Sequence, residues 1–206
     1  MKVVIATNNA HKVEEIKTAL DFEGWEFCTL REAGLSSDPA EDADTFLGNA
    51  RIKAQAAREA ALAAGMTCAV LADDSGIEVD ALDGAPGVYS SRYAGVDGDD
   101  AANNAKLLRE LEGVPDEERT GRFVCTLIFL DETGAETCAR GTIEGRIGYA
   151  EAGSGGFGYD PLFIPDCFGG EVTLAQVSQD EKNGVSHRGN ALRELKALLG
   201  SHVPGV

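Results

Sequence analysis

Positive charge is scarce in this chain: 18 lysines and arginines stand against 35 aspartates and glutamates in 206 residues, a formal net charge of −17. That balance disfavours nucleic acid, anionic membrane and other polyanionic surfaces as partners. Long apolar runs are also missing. Val3-Val4-Ile5-Ala6 is too short for the central region of a signal peptide, and no later run approaches the ~20 residues of a membrane span. The five cysteines (Cys28, Cys68, Cys125, Cys138, Cys167) are odd in number, scattered and contain no CxxC pair. They read as reduced thiols, some of them buried in apolar runs. The expectation is a cytoplasmic protein. No internal repeat, linker or low-complexity stretch is present, and no loop has the GxxxxGK[ST] spacing of a Walker A motif. What remains is ordinary globular composition, 43% hydrophobic and 26% charged, long enough for one large domain or two joined lobes.

Periodicity orders the elements. Residues 2–6 read as a short buried strand, followed by a polar turn and a helix on which Val13, Ile16 and Leu20 share a face. A second strand is expected over 25–30, then an acidic loop, then an Ala-rich helix over 45–64 stopped by Gly65. Residues 68–72 form an apolar strand that ends in Asp73-Asp74-Ser75-Gly76, and 77–80 alternate like a separate, partly exposed strand. Residues 84–95 look like loop. A helix over 99–112, a long hairpin over 122–131 and 136–147, a Gly-rich stretch over 153–158 and a final helix over 189–199 complete the pattern. Residues 201–206 read as a loose tail. Strands alternating with helices, plus a hairpin, predict an α/β protein with a mixed sheet.

Five segments carry candidate chemistry. Thr7-Asn8-Asn9-Ala10-His11-Lys12 joins a strand to a helix whose unpaired N–H groups and partial positive charge suit phosphate. An N-cap Asn with a surface lysine is the plainer alternative. Asp73-Asp74-Ser75-Gly76 places carboxylates at a strand end, on opposite faces, with hard oxygens suited to Mg²⁺ or Mn²⁺; an Asp-Gly turn explains the same residues. Glu41-Asp42-Ala43-Asp44 reads first as an acidic helix start, and Lys53, in a small apolar stretch, either reaches a cleft or is simply exposed. Gly153 to Phe163 is a flexible Gly-rich loop whose Phe157 can stack on a base or pack on the core. Finally, Lys182, Ser186, His187 and Arg188 supply donors ahead of the last helix, suited to an anion or a carbonyl.

In this order the segments resemble one family, the noncanonical purine NTP pyrophosphatases, also called inosine triphosphate pyrophosphatases. The carrying motifs are TNNAHK, TFLGNARIKA, ADDSGIEVDALDGAPGVYSSRYAG, GGFGYDPLF and EKNGVSHRG, spread over about residues 1–200. The resemblance implies an elongated mixed β-sheet flanked by helices, two lobes with a central active-site groove, and a homodimer. It assigns Thr7, Asn8, Asn9, Ala10, His11 and Lys12 to the triphosphate. Asp74 becomes general base and metal ligand, with Glu41 as the second acidic ligand. Ser75, Phe157, Gly158, Tyr159, Asp160, Lys182, His187 and Arg188 become substrate contacts, with Lys53 a further phosphate clamp. Mg²⁺ on the phosphates would reconcile a polyanionic substrate with an acidic chain, with Mn²⁺ as a substitute. The bond cut would be that between the α and β phosphates.

One residue departs from the pattern. Many members of that family carry Glu where this chain has Gly48 in TFLGNA, which leaves Glu41 and Asp74 as the acidic ligands that the resemblance implies. A nucleotide-binding regulatory module without catalysis, and a pyrophosphatase for modified pyrimidine or methylated nucleotides, stay open as rivals.

Overall fold

The N-terminal apolar run forms β1 (Lys2–Ile5), and β1 is buried on both faces because helices cover both. A computed structural model describes residues 1–7 and 9–200. Asn8, the side chains of Ala10 and His11, and the tail expected over 201–206 lie outside the described residues. The other elements are α1 (Ala10–Ala19), β2 (Glu26–Thr29), α2 (Phe46–Ala63), β3 (Ala69–Val79), α3 (Asp100–Glu110), β4 (Thr120–Leu130), β5 (Glu136–Ile147), β6 (Phe163–Pro165), α4 (Gln179–Val185) and α5 (His187–Gly200). The six strands follow the order β2-β1-β3-β4-β5-β6. β1 runs parallel to β2 and β3, with Val4 opposite both Cys28 and Val70, while β5 and β6 are antiparallel. The sheet is mixed and carries helices, as the alternation predicts.

The chain divides into two compact units. The first holds Met1–Asp74, Cys125–Gly141 and the segment from Arg188; the second holds Ser75–Val124 and Thr142–His187. In the first unit, side-chain alternation sorts the strands' residues between two cores. Val3, Ile5, Ala69, Leu71, Leu127 and Phe129 pack with Val13, Ile16 and Leu20 of α1 and Leu192 and Leu195 of α5. Val4, Ala6, Val70, Ala72 and Ile128 pack with Ala50, Ala54, Ala57 and Ala61 of α2. Each fully buried Ile or Leu here contributes roughly 1.5–3 kcal/mol. The alanine stripe lets α2 approach the sheet closely; Thr45 caps it by accepting from the Gly48 N–H at 3.1 Å, and Gly65 follows its end at φ +72°. The second unit packs Ile77, Val79, Leu107, Leu111, Phe123, Ile147, Leu162 and Phe163 into one core.

Two expectations are corrected. Asp73-Asp74-Ser75-Gly76 is no turn at a strand end: β3 runs unbroken through it for 11 residues. Turn-forming residues remain extended here because Asp73 and Asp74 each meet a cation on its own face, described below. The second correction is α4, which was not anticipated. Its signal is a capping box: the Ser178 side chain accepts from the Glu181 N–H while the Glu181 carboxylate accepts from the Ser178 N–H. The final helix starts at His187, two residues earlier than expected. All five cysteines are free thiols, Cys68 and Cys125 buried, Cys138 and Cys167 exposed. Among the described residues, no helix is long and apolar enough to cross a membrane.

Candidate active site

The parity of β3 decides where its two acids go. Asp73 shares the face of Ala69 and Leu71, toward α1 and α5; Asp74 shares the face of Val70 and Ala72, toward α2. Accordingly Asp73 meets Lys12 of α1, Nζ to Oδ2 at 2.7 Å, and Arg188 of α5, Nε to Oδ2 at 3.5 Å. Arg188 also pairs with Glu15 at 2.6 Å and is buried. Burial works against the Asp73 carboxylate, but Lys12, Arg188 and Lys53 outweigh it and hold its carboxyl well below the usual range. Burial likewise opposes the Arg188 charge, and Asp73 and Glu15 more than restore it. Ahead of α1, the Thr7 hydroxyl accepts from the Asn9 N–H at 3.2 Å, and Asn9 Oδ1 accepts from the Lys12 N–H at 3.3 Å. Asn9 is therefore the N-cap that the plainer reading requires, while Lys12 is ion-paired and not a bare surface lysine.

On the opposite face stands an acidic pair. Lys53, from the middle of α2, places Nζ 2.8 Å from Asp74 Oδ1 and 2.9 Å from Glu41 Oε2. Glu41 lies in the loop before α2, outside the helix's first turn. Burial pushes the Asp74 carboxyl above its ordinary range, Glu41 adds to this, and Lys53 only partly offsets it. For Lys53 burial favours the neutral amine, yet Asp74, Asp73 and Glu41 prevail and hold the ammonium above its usual range. A buried carboxyl with a raised proton affinity beside a second carboxylate suits proton abstraction. Asn49, unremarked in the sequence, is buried one turn before Lys53. It donates to Asp74 Oδ2 at 3.4 Å and accepts from the Ala43 N–H at 3.0 Å, joining the acid to the loop that carries Glu41. Ser75 follows Asp74 in β3 as the first residue of the second unit.

The second unit gathers the remaining candidates except Arg188. Asp160, buried, accepts from the Phe157 N–H at 2.9 Å and pairs closely with buried Lys182. Lys182 Nζ in turn sits 4.8 Å from the centre of the Phe157 ring. Gly156 permits this: at φ +72°, a Cβ there would lie 2.0 Å from Asp160 Oδ2. Gly158 is clamped by α3, donating its N–H to Asp100 at 2.7 Å and accepting from Asn104 at 3.1 Å. Tyr159 is buried and donates its hydroxyl to the Ser90 carbonyl at 2.8 Å, and His187 stacks on Phe123 at 4.9 Å between ring centres. Asp100, Asn104 and Asn49 escaped the sequence reading because a polar residue inside a helix looks the same whether it faces water or a loop backbone.

Thus the first unit brings together Lys12, Glu41, Lys53, Asp74 and Arg188, and the second brings together Phe157, Gly158, Tyr159, Asp160, Lys182 and His187. A dITP/XTP pyrophosphatase from Exiguobacterium sibiricum is 46% identical over 199 residues, covering 97% of each chain. Among solved structures, a HAM1 protein from Coxiella burnetii aligns with a TM-score of 0.87 at 36% identity, covering 98% of this chain and 99% of that one. A nucleoside-triphosphatase/dITP/XTP pyrophosphatase from Mycobacterium abscessus aligns with a TM-score of 0.77 at 42% identity, over 97% and 99%. With the Ham1 family profile matching residues 3–198, nearly the whole described chain, this protein belongs to the Ham1 family.

Proposed function

We propose that the chain hydrolyses noncanonical purine nucleoside triphosphates (inosine, deoxyinosine and xanthosine triphosphate) to the monophosphate and pyrophosphate. One observation carries the reading: buried Asp74 shares the Lys53 ammonium with Glu41 in a chain whose relatives are named dITP/XTP pyrophosphatases. Asp74 is the general base, orienting the attacking water and taking its proton as pyrophosphate departs. Lys12, Lys53 and Lys182 neutralise phosphate charge, and the Thr7–Lys12 turn receives the phosphates with its backbone N–H groups. Phe157 offers its face to the base, and Ser75, Gly158, Tyr159, Asp160, His187 and Arg188 bind or brace the substrate. Arg188 acts here through Asp73 and Glu15, which already engage it.

The chemistry of the donors fits a divalent ion. Two carboxylates already converge on one positive group, and hard oxygens of this kind suit Mg²⁺, with Mn²⁺ able to replace it. Among the described residues no group of three or more His, Cys, Asp or Glu side chains is arranged to hold a metal. Glu41 and Asp74 would therefore hold Mg²⁺ jointly with substrate phosphates, the usual arrangement for this ion. When bound, it would neutralise charge developing on the phosphates. The working form is a cytoplasmic homodimer that engages neither nucleic acid nor membrane, a reading supported by the family resemblance and by the net charge of −17.

The test is pyrophosphate release with Mg²⁺ over inosine, xanthosine, adenosine and guanosine triphosphates. We expect kcat/KM for inosine triphosphate to exceed that for ATP by roughly 10³ or more, because donors matched to a 6-oxygen are left unpaired by a 6-amino group. Asp74→Asn is expected to lower turnover by about 10² to 10⁴ with the fold intact by circular dichroism. Nucleotide binding without turnover in the parent would point instead to a regulatory module, and comparable values for inosine triphosphate and ATP would end the substrate assignment.

A further inference from the structure

The acidic pair is closed by a cation that belongs to the chain itself. Lys53 Nζ holds one oxygen of Glu41 and one of Asp74, at 2.9 and 2.8 Å, and its side chain is only 15% exposed. An ammonium and a divalent ion cannot share the same carboxylate oxygens without strong mutual repulsion, least of all away from bulk water. The two carboxylates, conversely, would repel each other if nothing stood between them.

We propose that Lys53 is the resident counter-ion of this pair: it holds Glu41 and Asp74 together before a divalent ion binds, leaves both when the ion arrives, and transfers its charge to the nucleotide phosphates. The inference deepens the function proposed above and rests on it. Lysine suits the exchange, being a compact charge on a flexible four-carbon stem. The frame left behind is held by Asn49, which donates to Asp74 Oδ2 and accepts from the Ala43 N–H, two bonds in which Lys53 takes no part. Lys53 is thus a positioning residue toward the metal. Two consequences follow. A divalent ion alone binds weakly, because it must expel an ammonium that has nowhere else to go. With nucleotide present the expelled ammonium gains a phosphate, so ion and nucleotide bind with positive coupling that runs through Lys53.

Lys53→Met keeps the length of the side chain and removes its charge. The probe is Mn²⁺ at fixed neutral pH, titrated by calorimetry and electron paramagnetic resonance, alone and with a non-hydrolysable imido analogue of inosine triphosphate. Lys53→Met should bind Mn²⁺ alone about tenfold or more tightly than the parent, and the tightening that the analogue confers on the parent should be lost. Lys53→Arg, which keeps a cation, should behave like the parent. In chelator Lys53→Met should melt below the parent, with Mn²⁺ closing the gap; if it does not fold, Lys53→Gln carries the same comparison. Equal or weaker Mn²⁺ binding by the neutral variant overturns the inference. If the parent still releases pyrophosphate from inosine triphosphate, the function survives that result. A parent that neither binds Mn²⁺ nor releases pyrophosphate loses both.

Discussion

At the scale of single residues, a methyl group decides what position 48 can hold. A Cβ on Gly48 would lie 2.5 Å from the Ala43 Cβ and 3.1 Å from the Thr45 hydroxyl oxygen that caps α2. By helix propensity alone, Gly48→Ala should stabilise the protein by about 1 kcal/mol. We expect the opposite sign, because Ala43 has to move, and its N–H is the group that Asn49 holds. Calorimetric melting of a double-mutant cycle checks this: Gly48→Ala alone lowers Tm, whereas on an Ala43→Gly background it is neutral or stabilising. A raised Tm for the single variant would show that the loop yields freely. Position 48 also stands three residues after the cap Thr45, the spacing of a capping box, so a Glu introduced there would be placed to reach back to the Thr45 N–H. The glycine of this chain leaves Glu41 and Asp74 as the acids converging on Lys53.

At the scale of elements, the hairpin from β4 to β5 depends on one carboxylate. Asp131 Oδ1 accepts from the Thr133 N–H at 2.8 Å, the Thr133 hydroxyl at 2.6 Å and the Ala135 N–H at 2.9 Å. These bonds, the Thr133 hydroxyl first, hold the Asp131 carboxyl below its ordinary range. A carboxyl depressed in the folded state stabilises it above the unfolded value of about 3.9, and that contribution fades as pH falls through the folded value. Asp131→Ala should therefore cost about 1–2 kcal/mol at pH 7, an amount unchanged down to about pH 5 and shrinking below about pH 4. Urea unfolding at several pH values reads this directly, and a gap that stays constant into strong acid would show that the charge plays no part. This hairpin was legible in advance because Glu132-Thr133-Gly134 separates two apolar runs. β3 was legible only in halves, since the sequence of Asp73 to Gly76 carries turn chemistry and the cations that keep it extended come from α1, α2 and α5. The alternation rule still placed the two acids on opposite faces. It could not tell that Lys12 and Arg188 converge on one and Lys53 on the other, because such convergence is set by tertiary packing far along the chain.

At the scale of the whole molecule, the protein must admit a polyanion although its own net charge is −17. Far and near fields act differently. Near the reacting groups, Lys12 and Lys53 of the first unit would lie within a few ångströms of bound phosphate under the proposed function, closer than the Debye length of about 8 Å at 150 mM ionic strength. Far away the substrate meets the summed charge, and there salt matters: the Debye length is about 30 Å at 10 mM and about 8 Å at 150 mM ionic strength. Treating the protein as a point charge and the magnesium-complexed nucleotide as about −2, repulsion at about 30 Å is on the order of 1–2 kcal/mol at 10 mM and nearly absent at 150 mM. Raising NaCl over this range, with free Mg²⁺ held constant, should therefore leave kcat unchanged and raise kcat/KM for inosine triphosphate severalfold. A protein that steered its anion by a broad positive surface would show the reverse, a steep fall. Such a fall would mean that the approach is governed by a basic field around the site strong enough to override 35 acidic side chains, and the compensation would then extend beyond Lys12 and Lys53.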